Sequence, residues 1–201
     1  MSEARIGRVL VASLHQAIAD ILPMRLEFYE NWLNSSGLRE GTIGLAPLSA
    51  VLSFLRQEGA AYDETTRKAG VYAAEWTVRS LPAMERRLIT VLPAGLRARA
   101  ALRAGRMLVH NTYPGSRALM KIRKGEASVD LRGSLFCEVR EASPLPLCGF
   151  YAAALSRVLQ LLAIESRLDV LECRASGSRR GCRFAIALAP PPVVEVPEHA
   201  A

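Results

Sequence analysis

The sequence lacks several features that commonly reveal a protein's function. No apolar run approaches the ~20 residues that a membrane-spanning helix needs, so we expect no membrane span. The first residues have neither the apolar core nor the cleavage site of a signal peptide, which predicts a cytoplasmic location. There is no Walker motif, glycine-rich nucleotide loop, nucleophile elbow or iron–sulfur cysteine spacing. We therefore expect a protein that is not itself an enzyme.

Lysine is also scarce, and the positive charge is unevenly distributed. Only three of the 26 basic residues are lysines, and the net charge is +7. Residues 61–132 carry 14 basic and 6 acidic side chains, whereas residues 1–60 and 133–201 are nearly balanced. A basic middle segment suits an acidic partner, a carboxylated ligand or nucleic acid, or it is simply a solvated face. Because no DNA-binding segment is visible, we expect no direct contact with nucleic acid.

The size and the cysteine content indicate a single domain with reduced thiols. The 201 residues, half of them hydrophobic, are enough to bury a substantial core. Four cysteines without a secretion signal favour free thiols or a metal site over a disulfide framework.

The hydrophobic pattern changes from helical to strand-like after residue 112. In residues 1–112 the hydrophobic pattern predicts six helices: Ile6–Leu22, Leu26–Leu33, Leu48–Gln57, Glu64–Leu81, Ala83–Leu92 and Ala94–His110. Residues 113–189 predict the strands Ala118–Arg123, Ser128–Leu131, Ser134–Val139, Leu168–Arg174 and Cys182–Leu188, with a helix at Leu147–Ile164. The Pro-rich tail, residues 190–201, is expected to be extended or disordered. This order predicts an α+β fold with helices packed on one face of a short antiparallel sheet.

Three cysteines are placed where they would meet in such a fold. Cys148 lies at the head of the predicted helix, and Cys173 and Cys182 flank the turn Ala175–Gly181. If the start of the helix faces this hairpin, the three thiols converge. The alternative is that they fill the core as small hydrophobic side chains. We expect Cys137, outside this group, to be a core residue.

The segment Gly133–Ile186, which contains SLF, CGFYAAALSRVL, VLEC and CRFAI, resembles the 4-vinyl reductase domain. That family shares its fold with subunits of the TRAPP vesicle-tethering complex. Upstream, Leu92-Pro93-Ala94 and the Arg-rich helix after it are similar to bacteriochlorophyll-associated members. The resemblance implies a TRAPP-like fold in a bacterial protein. Because the chain is so apolar, with long helices on one side of a sheet, we expect a two-fold symmetric homodimer whose interface comes mainly from residues 1–112. The resemblance also implies a role in tetrapyrrole synthesis or in sensing aromatic effectors.

The resemblance further implies a structural zinc ion, held by a Cys at the helix start, an acidic residue and both hairpin cysteines. The matching cysteines are Cys148, Cys173 and Cys182. The family's acidic position is Val170 in this chain, with Asp169 and Glu172 close by. In a regular strand Asp169 shares a face with Cys173 and Glu172 does not, so Asp169 is the predicted fourth ligand. A β-bulge would reverse that choice.

A ligand pocket is expected between the front helices and the sheet. Its predicted wall residues are Phe28, Trp32, Tyr72 and Trp76, although core packing is the better explanation for any one of them. The predicted mouth is Arg99, Arg103 and Arg106, which form one helical stripe and would pair with carboxylates, unless the stripe simply faces water.

We therefore expect a non-catalytic accessory or sensor protein that binds an apolar, anionic aromatic or tetrapyrrole-like ligand and signals through a protein partner. The alternatives are a homodimeric scaffold without a small ligand and, on the family resemblance alone, a vinyl reductase.

Overall fold

Helices and an antiparallel sheet make up the part of the chain that the computed structural model describes, residues 6–33, 44–123, 125–139 and 141–188. The predicted Pro-rich tail, residues 190–201, lies outside these ranges. The seven described α-helices are α1 (Arg8–Ile21), α2 (Leu26–Leu33), α3 (Leu45–Gln57), α4 (Ala60–Ser80), α5 (Ala83–Val91), α6 (Ala94–Thr112) and α7 (Gly149–Leu161). The four described strands are β1 (Arg117–Arg123), β2 (Glu126–Arg132), β3 (Ser166–Glu172) and β4 (Cys182–Leu188). The predicted α+β class is confirmed.

Prolines separate the front helices. Pro23 follows α1 and opens a short 3₁₀ turn that leads into α2. Pro82 and Pro93 stand at the N-caps of α5 and α6, where the missing N–H group removes no helical hydrogen bond. The amphipathic pattern of α1 buries Leu10 and Leu14 completely. Pro23, Pro82 and Pro93 therefore mark three of the breaks between the front helices, whereas α3 and α4 are separated at Glu58 and Gly59.

The four strands are ordered β1-β2-β4-β3, and all neighbours are antiparallel. Alternate residues point to a covered face, which includes Val129 of β2 and Phe184 of β4, both fully buried. The opposite face carries charged side chains such as Lys121 and Arg183. The helices therefore cover one face of the sheet, as the sequence predicts.

The strand predicted at Ser134–Val139 is wrong. Leu135–Cys137 forms a 3₁₀ turn, and its three consecutive side chains are all buried. A strand on a one-sided sheet would expose every second side chain, so three buried residues in a row do not fit one. The chain turns into this segment at Gly133, whose φ of +68° favours glycine.

Helix α7 lies at the centre of the fold, against α4 on one side and the sheet on the other. A Cβ atom on Gly70 of α4 would lie 2.2 Å from the carbonyl oxygen of Phe150, so only glycine allows this approach. Phe150 stacks on Phe136 with ring centroids 4.7 Å apart. The hydroxyl of Tyr151 lies 3.3 Å from the Thr112 hydroxyl and 3.2 Å from that of Ser116. The core next to the cysteine-bearing segments is therefore filled with aromatic side chains.

No single described helix is long and apolar enough to cross a membrane. Helix α1 and the segment Pro23–Leu33 reach the required length and composition only together, and they are bent by 118° at their junction.

Candidate metal centre

The thiols of all four cysteines meet at one end of the sheet. The Sγ atoms of Cys137, Cys148, Cys173 and Cys182 all lie within 4.8 Å of one another, and all four residues are buried. The Sγ atom of Cys137 is 3.5 Å from that of Cys173 and 3.4 Å from that of Cys182, and the latter two are 3.9 Å apart. The predicted convergence of Cys148, Cys173 and Cys182 is therefore present, with Cys137 as its fourth member.

Four separate chain segments bring these thiols together. Cys137 ends the 3₁₀ turn, and Cys148 is the N-cap of α7. Cys173 follows β3, and Cys182 begins β4. The turn between the last two uses Gly181 at a φ of +124°, where a Cβ atom would lie 2.5 Å from the carbonyl oxygen of Leu131. The backbone N–H of Arg174 donates to the Cys182 Sγ atom at 3.5 Å, which orients that sulfur towards the others.

The sulfur geometry suits a single tetrahedral metal ion. Zinc–sulfur bonds of about 2.3 Å require sulfur atoms about 3.8 Å apart in a tetrahedron, which is close to the separations found here. A cluster of several irons would need larger separations than four sulfur atoms within 4.8 Å of one another allow. The donor set and its spacing therefore fit one ion, and four protein thiolates would leave that ion no open coordination position.

Asp169 does not belong to this group. Its carboxylate lies 3.4 Å from the Arg167 guanidinium, and its side chain is 54% exposed. The pairing of β3 with β4 shifts between Val170 and Glu172, so Leu171 is an extra residue in the strand. The bulge reverses the alternation, and Cys173 turns to the covered face while Asp169 stays on the open face. The regular-strand argument for Asp169 as a ligand is corrected by this bulge.

Glu172 does not approach the thiols either, although the bulge lies next to it. Its carboxylate accepts a hydrogen bond of 2.6 Å from Arg183 on the open face of the sheet. The fourth sulfur instead comes from Cys137, which the sequence patterns alone assigned to the core. The one sequence signal for Cys137 as a ligand was the cysteine count, because a closed thiolate site needs four cysteines and the chain has four.

Burial and sulfur–sulfur hydrogen bonds shift the pKa values of the thiols, some upwards and some downwards. Hydrogen bonds from Cys137 and Cys148 lower the pKa of Cys173, so its thiolate is favoured. The hydrogen bond with Cys137, followed by those with Cys173 and Cys182 and by burial, raises the pKa of Cys148. Four thiolates in so small a volume repel one another, so full ionisation requires a cation among them.

Two side chains from the helical layer hold the segments that carry Cys137 and Cys148. The Arg56 Nη2 atom donates to the carbonyl oxygens of Phe136 at 3.1 Å and Glu138 at 3.3 Å, on either side of Cys137. The Tyr62 hydroxyl donates to the carbonyl oxygen of Leu147, next to Cys148, at 3.3 Å. Burial raises the pKa of Tyr62, which keeps this donor protonated. Helices α3 and α4 are thereby tied to the thiol group.

The predicted arginine stripe lies along an open cleft between α6 and β1. The cleft has a volume of about 300 Å³ and is lined by Arg99, Arg103 and Arg106 together with Leu102, Met120 and Ile122. None of the three guanidinium groups forms an ion pair or hydrogen bond with a residue in the part of the chain that the structure describes. The cleft therefore combines uncompensated positive charge with apolar side chains.

The predicted aromatic wall residues lie elsewhere. Trp32 is 40% exposed on α2 and packs against Phe54, with ring centroids 5.7 Å apart. Tyr72 and Trp76 stack on each other on α4, and the Tyr72 hydroxyl donates to Asp20. None of the four predicted wall residues, Phe28 included, is among the six residues that line the arginine cleft. The structure therefore brings the arginines together and leaves the aromatic residues outside their cleft.

No protein-family model matches the chain, and a comparison with curated proteins finds no match either. The resemblance of Gly133–Ile186 to the 4-vinyl reductase domain stays a prediction.

Proposed function

We propose that the protein is a zinc-stabilised, non-catalytic binding domain. The observation that carries this proposal is the group of four buried cysteine thiols within 4.8 Å of one another. A catalytic zinc ion keeps an open position for water or substrate, whereas four thiolates close the coordination sphere. The bound ion would join the 3₁₀ turn, the start of α7 and both strands of the β3–β4 hairpin, and its binding free energy would add to folding.

Metal content distinguishes the four-cysteine site from the site predicted from the sequence. Protein purified under reducing conditions should carry about one zinc per chain, measured by elemental analysis. Cys137→Ser should lower the zinc content and the midpoint of thermal unfolding. Asp169→Asn is the matched control and should change neither, because its carboxylate lies on the other face of the sheet. Metal-free protein with the same unfolding temperature as metal-loaded protein would refute the zinc site.

The ligand in this proposal is an anion with an apolar body, bound in the cleft between α6 and β1. Guanidinium groups pair with carboxylates in a forked geometry, and no described acidic group competes for Arg99, Arg103 or Arg106. Leu102 and Met120 supply the apolar contact. Carboxylated aromatic molecules, including those related to tetrapyrroles, have this combination of groups. In this proposal the domain acts as an accessory or sensor through a protein partner.

Calorimetric titration with porphyrin carboxylates and simple aromatic acids tests the cleft. Tryptophan fluorescence is a poor reporter here, because neither Trp32 nor Trp76 lines the cleft. Arg103→Glu should weaken binding by at least about tenfold, since it replaces an attraction by a repulsion. Lys121→Glu, on the opposite face of β1, is the control and should bind as wild type does. Equal loss in both variants, or no heat with any of these compounds, would refute the site.

An exposed aromatic group on α2 favours a homodimeric scaffold as the second candidate. Phe28 packs edge-on against Phe54, and Trp32 lies against the same ring. Both Phe28 and Trp32 are exposed in the single chain, and aromatic side chains commonly anchor interfaces. Light scattering should return twice the chain mass of 21.9 kDa, and Trp32→Ser should shift the protein to the monomer. A monomeric wild-type protein would refute the scaffold.

A further inference from the structure

Helix α5 carries an outward stripe of apolar side chains. Met84, Leu88 and Val91 follow one another at four- and three-residue spacing, and they are 75%, 59% and 77% exposed. Its buried side chain, Ile89, points the other way, into the fold. Helix α5 is therefore amphipathic with its apolar stripe turned away from the domain, the reverse of the usual arrangement in a globular protein.

The surroundings of this stripe are strongly basic. Residues 79–106 contain seven arginines and one acidic residue, Glu85. Arg87 borders the stripe, three residues after Met84 and four before Val91. Arg79 lies in the last turn of α4, shortly before α5. Within the described ranges, the guanidinium groups of Arg79, Arg86 and Arg87 form no ion pair or hydrogen bond. An apolar stripe with unpaired arginines around it calls for a partner that offers hydrocarbon and negative charge together.

Two other partners fit these observations less well. In a two-fold symmetric dimer each surface meets its own copy, so the arginines around α5 would face arginines. Nucleic acid would satisfy the arginines, but its phosphate backbone offers no hydrocarbon for Met84, Leu88 and Val91. An anionic lipid surface supplies both, with phosphate groups at the level of the arginines and acyl chains below them.

We propose that α5 is a membrane-docking helix that lies in the surface of an anionic bilayer, with Met84, Leu88 and Val91 inserted and the surrounding arginines at the lipid phosphates. Nine residues are few for such a helix, so the binding is weak, reversible and sensitive to salt. The proposal depends on neither the zinc site nor the ligand cleft, and it gives the domain a place of action at a membrane face.

Vesicle co-sedimentation of the full chain tests this proposal. Wild-type protein should bind vesicles of phosphatidylcholine with phosphatidylglycerol, bind pure phosphatidylcholine much less, and be released by added salt. Leu88→Asp should lower the partition coefficient at least tenfold, since a leucine side chain leaves the hydrocarbon. Arg87→Gln should lower it about fivefold, as expected for one arginine near an anionic surface.

The controls lie on the open face of the sheet. Leu119→Asp replaces an equally exposed leucine, 55% accessible, and Lys121→Gln removes a cation there. Both should bind vesicles as wild type does, and unchanged circular dichroism should show that every variant folds. Absence of binding to anionic vesicles, or equal loss in Leu88→Asp and Leu119→Asp, overturns the proposal. The proposal is also overturned if the protein is a dimer that Leu88→Asp dissociates. It is overturned as well if the protein binds nucleic acid and not vesicles.

Discussion

The Nη2 atom of Arg56 lies 3.1 Å from the carbonyl oxygen of Phe136, the residue before Cys137, although 80 residues separate the two in sequence. The same guanidinium reaches the carbonyl oxygen of Glu138 at 3.3 Å. A side chain of the helical layer thus fixes the backbone on both sides of a proposed metal ligand. Groups that orient metal ligands in this way commonly govern metal affinity.

Replacing Arg56 should therefore weaken the metal site without removing any ligand. We expect Arg56→Ala to raise the zinc dissociation constant by about 10- to 100-fold, measured by competition with a chromogenic chelator. The free energy of unfolding should fall by about 1–3 kcal/mol, because the two carbonyl groups lose their donor. Arg25→Ala, which removes the 3.8 Å ion pair with the partly buried Glu58, should leave zinc affinity unchanged. Unchanged zinc affinity in Arg56→Ala would show that the 3₁₀ turn positions Cys137 without help from Arg56.

Metal removal should expose the thiols. With zinc bound, none of the four cysteines should react quickly with maleimide, because all are buried and would be ligated. After chelation under reducing conditions all four should react, and the unfolding temperature should drop. Mass spectrometry counts the modified cysteines in each state. Rapid labelling of zinc-loaded protein at any cysteine would remove that residue from the ligand set.

Gly70 tests the close packing of α4 against α7. Gly70→Ala would place a methyl group 2.2 Å from a backbone oxygen, so the two helices must separate. The cost should be at least about 2–3 kcal/mol in urea unfolding, at the upper end of overpacking effects. Gly95→Ala in α6 is the matched control, since nothing lies within 4 Å of its Cβ atom. That variant should be as stable as wild type or more stable by up to about 1 kcal/mol.

Tyr29 should make the protein sensitive to alkali. Burial, with the nearby Glu58 carboxylate, raises the pKa of Tyr29 from 10.0 to about 12 in the folded protein. The neutral phenol is thus favoured in the folded state, and this contribution is complete below pH 10.0 and lost as the pH rises to about 12. Tyr29→Phe cannot ionise, so its stability should decline less over this interval. Urea unfolding at several pH values measures the two slopes, and parallel slopes would contradict the assignment.

The sequence predicted the helices, four of the strands and three of the converging thiols because each leaves a periodic or spacing signal. The fourth thiol, that of Cys137, has no periodic or spacing signal. Cys137 lies between Phe136 and Glu138 in a segment whose pattern predicted a strand, and its role depends on a turn that tertiary packing imposes. Asp169 was chosen by strand alternation, which fails at Leu171 because one extra residue changes the side on which Cys173 emerges. Bulges of this kind depend on the pairing partner, here β4, and single-strand patterns do not contain that information.

The strand order also has a consequence for the synthesis of this chain. Strand β4, the last described element in the sequence, occupies an inner position between β2 and β3. During synthesis, the β1–β2 hairpin therefore has an unpaired β2 edge until β4 has been made. Until then Val129 also lacks its cross-strand neighbour Phe184. Cys182 emerges in the same final stretch, so the thiol group is also incomplete until then. A nascent chain that stops before residue 182 should aggregate, and synthesis of β4 would close the sheet and assemble the metal centre in a single late step.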